Sequence, residues 1–291
     1  MPKPEAKSTL YWIASYPRSG STAIRMYLFN LVGLMHGLHG ELNINWLRFF
    51  SPSDVDRIFY GKHLDWRQHR SPESVAAVLP QALEDMVKDA GIFLEESNNF
   101  VFVQTNRLLG TLSSHPAVDP KSGWAVYIVR NPLDVAISLA HQFCEPIDTA
   151  INFMCRTAVR ISNSDTVVFL PGSWSQNVDS WTGVPDPGII VIRYEDLISD
   201  PDVWFGALTR SIFRNSAPPT KQIQLAIEAS SFKRMKAQEE RFGYNQKWTD
   251  FTRFFIEGRS GYWKTVLSSR QVETIVRFHG AAMSRFGYLP G

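Results

Sequence analysis

Leu10-Tyr-Trp-Ile-Ala-Ser-Tyr-Pro-Arg-Ser-Gly-Ser-Thr-Ala-Ile-Arg-Met-Tyr-Leu-Phe-Asn-Leu31 changes character twice along its length. Residues 10–15 form a short apolar run of strand length, and Tyr16-Pro-Arg-Ser-Gly20 is a break made of turn residues. From Ser21 onward, apolar residues recur at Ile24, Leu28 and Leu31, with Met26, Tyr27 and Phe29 filling in, which is the pattern of a buried helix. Strand, tight loop and helix together make a phosphate cradle, because the loop amides and the helix N-terminus face an anion at once. Gly20 permits close approach. Ser19, Ser21 and Thr22 add hydroxyl donors, Arg18 adds a fixed positive charge, and Pro17 sets φ where the strand ends. The G-x-x-x-x-G-K-[S/T] spacing of a Walker A loop is absent.

The chain has 291 residues, 44% of them hydrophobic, which is length and apolar content enough for one large α/β domain. Residues 1–9 read as a flexible N-terminal tail and 10–291 as that domain. A formal net charge of +2 gives no global field for nucleic acid, so any positive charge that matters is local. The two cysteines, Cys144 and Cys155, offer neither a disulfide framework nor metal-ligand spacing, so no metal is expected. The N-terminus lacks a signal-peptide core and no apolar run approaches ~18 residues. The expectation is a cytoplasmic protein without a membrane partner.

In order, residues 33–40 read as a glycine-containing loop, 51–54 as a helix start, 60–72 as irregular, and 71–90 as a helix interrupted at Pro80. Residues 100–105 and 124–130 are buried strands, 110–123 a loop, 135–143 a helix, and 145–170 an irregular insertion with helical stretches. A helix over 174–181, a strand over 188–193, helices over 202–213, 221–229 and 231–241, a loop over 254–263 and a closing helix over 270–286 complete the chain. Apolar strands without a polar face, alternating with helices, predict a central parallel sheet flanked by helices on both sides. Ligands bind such sheets beyond the carboxyl ends of the strands. The polar ends 16–22, 104–106, 130–134 and 194–196 are therefore expected on one edge.

Ala125-Val-Tyr-Ile-Val-Arg-Asn-Pro-Leu-Asp-Val-Ala-Ile-Ser138 is a second motif. Arg130 leaves the strand end with a planar fork of donors suited to phosphate, and Ser138 follows two helical turns later. With Tyr16-Pro-Arg-Ser-Gly-Ser-Thr22 it resembles the sulfotransferases that use 3′-phosphoadenosine-5′-phosphosulfate (PAPS), and most closely their bacterial, cytosolic-type members. Gly172-Ser-Trp-Ser-x-x-Val-x-Ser-Trp181 and Arg193-Tyr-Glu-Asp-Leu197 extend the resemblance over nearly the whole chain. It implies a single domain of P-loop, nucleotide-kinase-like fold. It also implies Arg18, Ser19, Gly20, Ser21 and Thr22 at the 5′-phosphosulfate, Arg130 and Ser138 at the 3′-phosphate, and Tyr194, Ser230 and Phe232 by the adenine. Gly258 and Arg259 would belong to a loop closing over the 3′-phosphate. The implied cofactor is PAPS, with PAP as product.

Three positions depart from the family pattern. Where the family has Lys-Thr-His, whose histidine takes the acceptor's proton, this chain has Gln104-Thr105-Asn106; Asn106 orients a nucleophile but accepts no proton at neutral pH. Where the closing loop carries a basic pair, this chain has Ile256 and Glu257, with Arg259 and Arg253 as substitutes. Where the family often has Trp after the first loop, this chain has Ala23. Glu41 and His141 are the leading replacement bases, with His36 and His39 behind them; His141 lies one helical turn beyond Ser138. The favoured reaction is sulfuryl transfer to a hydroxyl or amine of a small-molecule acceptor, with Trp46, Phe49, Phe50 and Trp66 as candidates to line an aromatic or apolar pocket. A divergent PAPS- or PAP-binding protein with lost or altered transfer is the alternative. An ATP-dependent kinase shares the fold but wants a Walker lysine and a Mg²⁺ carboxylate.

Overall fold

Tyr11, Trp12, Ile13 and Ala14 are all buried, so the first strand has no wet face and belongs inside a sheet. The computed structural model describes residues 9–47, 78, 81, 85, 100–112, 115–118, 123–157, 171–183, 186, 188–245 and 253–291. Its strands are β1 (Thr9–Ser15), β2 (Phe100–Thr105), β3 (Gly110–Leu112), β4 (His115–Val118), β5 (Gly123–Val129) and β6 (Ile189–Arg193). Its helices are α1 (Ser21–Met35), α2 (Pro132–Phe143), α3 (Ile147–Cys155), α4 (Trp174–Thr182), α5 (Tyr194–Ser199), α6 (Pro201–Phe213), α7 (Thr220–Ala229), α8 (Phe232–Phe242), α9 (Trp263–Val266) and α10 (Ser269–Arg285). Among the described residues, no helix is long and apolar enough to cross a membrane.

The main sheet has the order β2-β1-β5-β6 and is parallel throughout, with Tyr11 between Phe102 and Trp124. The strands' alternation feeds two cores. Trp12, Val103, Tyr127 and Val129 pack with Leu139, Trp174, Val178 and Met283 on one face. Tyr11, Ile13, Phe102, Val126 and Ile192 pack with Ile24, Leu28, Leu31, Phe205 and Leu208 on the other. This is the expected doubly covered parallel sheet.

The elements differ from expectation in a few places. Helix α1 runs through Gly33 to Met35 instead of giving way to a loop. Gly33 is buried, and a Cβ there would lie 2.8 Å from Leu42 Cδ1, so the glycine serves the close return of the chain and not a turn. Helix α2 begins at Pro132, because the Asn131 side chain accepts from Leu133 N at 3.0 Å and proline suits the first turn. The span 110–123, expected as loop, contains the antiparallel pair β3–β4, with Pro116 opposite Thr111. A two-stranded ribbon tolerates proline and needs no alternating apolar face, so periodicity does not mark it. Within 71–90, Val78, Gln81 and Asp85 are helical. The expectations at 51–54 and 60–72, and at Phe49, Phe50 and Trp66, lie outside the described residues, as do 1–8 and 158–170.

Two buried carboxylates strap the C-terminal segment across the sheet's carboxyl edge. Glu239 on α8 accepts from Phe254 N at 2.6 Å and Phe255 N at 2.9 Å. Asp134 on α2 accepts from Gly261 N at 2.8 Å and Trp263 N at 2.9 Å. Between these anchors, Glu257 and Arg259 pair at 3.0 Å on the surface. His279 on α10 is buried, with Nδ1 2.6 Å from Ser175 Oγ and Nε2 3.8 Å from Cys155 Sγ. Burial lowers its pKa to about 4 and raises that of Cys155 to about 11, so both are neutral at pH 7.

Two outcomes follow from these arrangements. In Glu239→Ala, the amides of Phe254 and Phe255 lose hydrogen-exchange protection while those of Gly261 and Trp263 keep it; equal loss at both ends would refute separate anchorage. For His279, the unfolded chain binds the proton near pH 6.5 and the native state only near 4. Stability is therefore fully present above about pH 6.5 and falls as pH drops toward 4, by about 3 kcal/mol at most. Urea unfolding at several pH values should show a flatter acid limb for His279→Met; identical slopes would overturn this.

Candidate functional site

The loop after β1 is shaped by two residues with positive φ, Arg18 at 68° and Gly20 at 105°. A Cβ at Gly20 would overlap the Tyr194 ring, which lies directly on the loop. Ser19 N donates to Tyr16 O at 3.2 Å and Ala23 N to Gly20 O at 3.0 Å, so the turn runs straight into α1. A non-glycine residue in the left-handed region is uncommon, and it persists where its surroundings over-determine it.

At Arg18 they do. Its Nε donates to Ser138 Oγ, its Nη1 to Gln142 Oε1 and its Nη2 to Phe254 O, each at 2.9 Å. The guanidinium also lies 4.1 Å from the centre of the Phe254 ring. Burial, and then the charge of Arg130, lower its pKa to about 10, so it stays protonated at neutral pH. Arg130 Nη1 donates to Arg18 O at 3.0 Å, and its guanidinium sits 4.6 Å from the Tyr194 ring centre. Among the described residues, neither guanidinium forms an ion pair with a carboxylate. Three buried donors next to Arg18 have no partner: Ser19 Oγ, Arg130 Nε and Gln142 Nε2. Two adjacent cations with unmet donors, at a loop and a helix N-terminus, form an anion site.

The strand ends converge as their polar residues predict. Gln104 Nε2 donates to Ser21 Oγ at 3.0 Å, and Asn106 Nδ2 to Ser15 O at 2.7 Å. Asn131 N donates to Glu195 Oε1 at 3.0 Å. Thr22 hydrogen-bonds the buried Tyr244. Ser230 spends its hydroxyl on Ala226 O at 2.8 Å where α7 ends. Phe232 meets the Phe255 ring at 6.0 Å and fills the space a Cβ at Gly258 would need. Arg259 is paired with Glu257, and Arg253 with Glu240 at 3.0 Å, so both substitute cations are already partnered.

The two leading bases differ in placement. His141 shares α2 with Ser138 and Gln142, and its Nε2 is 3.0 Å from Arg253 O, beside the segment that holds Arg18. A carbonyl only accepts, so Nε2 carries the hydrogen and Nδ1 is left as the basic nitrogen. Glu41 is exposed and accepts from Gln238 Nε2 of α8 at 3.1 Å, away from the Arg18 hydrogen bonds. His36 and His39 are exposed past the end of α1. Among the described residues there is no cluster of three or more metal-ligating side chains.

Gln142, Phe254 and Glu239 escape sequence reasoning, and Asp134, although it lies in the second motif, receives no role from it. Gln142 was the accessible one, since it stands at i+4 from Ser138. Asn177 was also missed: its Oδ1 accepts from Tyr127 OH at 2.8 Å, and its Nδ2 donates to Asn106 O at 3.1 Å and Pro171 O at 3.0 Å.

Comparison with solved structures finds the same fold at low identity. Retinol dehydratase in complex with retinol and PAP matches with a TM-score of 0.60 and 18% identity, over 95% of this chain and 82% of that one. The same protein with androsterone and inactive cofactor PAP gives 0.59 and 17%, over 94% and 80%. A mouse sulfotransferase complexed with PAP gives 0.55 and 16%, over 94% and 84%. A sequence comparison with curated proteins finds no match. The sulfotransferase-domain model, in contrast, matches residues 8–287, and with two motif-bearing strand ends meeting around Arg18, the chain belongs to the sulfotransferase-domain family.

Proposed function

We propose that the protein is a PAPS-dependent sulfotransferase of the bacterial, cytosolic type, acting in the cytoplasm on a hydroxyl or amine of a small, apolar or aromatic acceptor. The observation that carries this reading is the pair of partly buried guanidiniums, Arg18 and Arg130, with Ser19 Oγ and Arg130 Nε unmet beside the N-terminus of α1. Buried donors without acceptors are costly, and phosphate or sulfate oxygens are what would meet them. The PAP named in the retinol dehydratase and mouse sulfotransferase structures supports the same nucleotide here.

The residues fit the nucleotide. Ser138 accepts from Arg18, which leaves its hydroxyl hydrogen to donate, so Ser138 and Arg130 serve the 3′-phosphate. The amides of the 18–22 loop, with Ser19, Ser21 and Thr22, serve the 5′ side. Tyr194, Phe232 and Ser230 flank the base, and Gly258 and Arg259 belong to the strap. Glu257 is neutralised by Arg259, so it presents no bare carboxylate to a phosphate. When bound, PAPS supplies the activated sulfuryl group. Arg18 stays cationic at neutral pH and stabilises negative charge that develops at the 5′ side.

A hydroxyl acceptor must lose a proton. Asn106 has its amide committed to Ser15 and cannot take it. His141, with Nδ1 free as the base and Nε2 fixed on Arg253 O, is the better assignment than Glu41. The second reading, a nucleotide-binding relative without transfer, is favoured by the same Asn106 and by the paired Arg259.

Calorimetry with PAP distinguishes nucleotide recognition from its loss. Wild-type protein binds, and Arg130→Ala binds about 10- to 100-fold more weakly, as for a lost charge-assisted hydrogen bond; no binding by the wild type refutes the nucleotide reading. With PAPS and an acceptor found by screening, Arg18→Ala retains the fold and loses about 10²-fold or more in turnover. Transfer persists in EDTA, whereas a kinase stops. His141→Gln keeps an N–H for Arg253 O and removes the base, and turnover of a hydroxyl acceptor falls about 10²- to 10⁴-fold. Unchanged turnover would return the role to Glu41 or to the acceptor itself.

A further inference from the structure

Gln142 is 3% exposed, yet half of its carboxamide has no partner. Which half is settled by chemistry. Its bonded atom lies 2.9 Å from Arg18 Nη1, and a guanidinium only donates, so that atom is oxygen. The amide cannot be flipped without setting donor against donor. Nε2, with two N–H groups, is therefore the buried atom left unmet. A native chain rarely leaves such a donor without an acceptor, because it carries the full desolvation penalty.

The position gives the orphan a meaning. Gln142 stands one turn beyond Ser138 on α2, and Arg18 bridges the two, with Nε on Ser138 and Nη1 on Gln142. Arg130 reaches the same residue through Arg18 O, and its own Nε is also unmet. The Arg18 contact pins the Gln142 carboxamide, so Nε2 is held in place before any ligand arrives.

We propose that Gln142 is a nucleotide-binding residue, donating from Nε2 to the 3′-phosphate alongside Arg130 and Ser138. This rests on the PAPS reading above and adds to it one further donor for a 3′-phosphate. The residue acts in two ways at once: its oxygen holds Arg18 and its nitrogen meets the ligand.

The test separates these two roles. Gln142→Glu keeps an acceptor for Arg18 at similar reach and removes both donors; Gln142→Met removes donor and acceptor without adding charge. Calorimetry compares PAP with adenosine 5′-phosphate, which lacks the 3′-phosphate. Both variants should weaken PAP about 10- to 100-fold more than they weaken adenosine 5′-phosphate, whose own loss reports the disturbed hold on Arg18. In the wild type, the Gln142 side-chain amide resonances should shift on adding PAP and not on adding adenosine 5′-phosphate. Equal losses for both nucleotides would assign Gln142 to holding Arg18 alone and overturn the inference. Wild-type affinity for PAP in both variants would overturn it as well, with a buried water as the partner of Nε2. Failure of the wild type to bind PAP would sink the nucleotide reading and this inference with it.

Discussion

A guanidinium taken out of water is stable only where its donors are met, and at Arg18 the three acceptors that meet them come from two distant parts of the chain. Ser138 and Gln142 arrive on α2, and the Phe254 carbonyl and ring arrive on the C-terminal segment. Glu239 holds the amide of Phe254, and Asn131 and Pro132 start α2 just beyond the end of β5. The anion loop is thus not a self-contained motif. Its conformation, including a left-handed arginine, is imposed by a sheet, two helices and a strap that close around one cation.

That dependence accounts for what the sequence discloses. The parallel sheet is legible because its strands are apolar on both faces, and the meeting of the loops at 16–22, 104–106, 130–134 and 194–196 follows from its topology. Arg18, Arg130 and Ser138 are legible because they stand at strand ends or in helical register. Phe254 is not, since its partner Arg18 lies more than two hundred residues away and is met by a main-chain carbonyl, and Glu239 is not, since its carboxylate binds main-chain amides. Gly33 misleads because a glycine serving a close side-chain approach inside a helix looks the same in sequence as one serving a turn. The β3–β4 ribbon is invisible because nothing on it needs to alternate.

The departures from the family pattern acquire physical reasons in the same way. Asn106 is not a weakened base but a joint: its amide ties β2 to Ser15, and Asn177 ties its carbonyl to α4. Gln104 braces Ser21 at the start of α1. Strand β2 has therefore become part of the frame that fixes the loop. His141 stands on the helix that also carries Ser138, with its Nε2 on Arg253 O.

The strap carries a consequence of a different kind. Both of its anchors grip backbone amides, Phe254 and Phe255 at one end and Gly261 and Trp263 at the other. A carboxylate holding main-chain N–H groups is indifferent to the side chains attached. The five residues from Ile256 to Ser260 can therefore exchange charge and size without dislodging the closure, apart from Gly258, where the Phe232 ring forbids a Cβ. A basic pair can be traded for isoleucine and glutamate there and the segment still arrives over the same edge. The protein has in effect separated the geometry of closure from the side chains that line it, so that sequence can drift along this stretch while the architecture stands still.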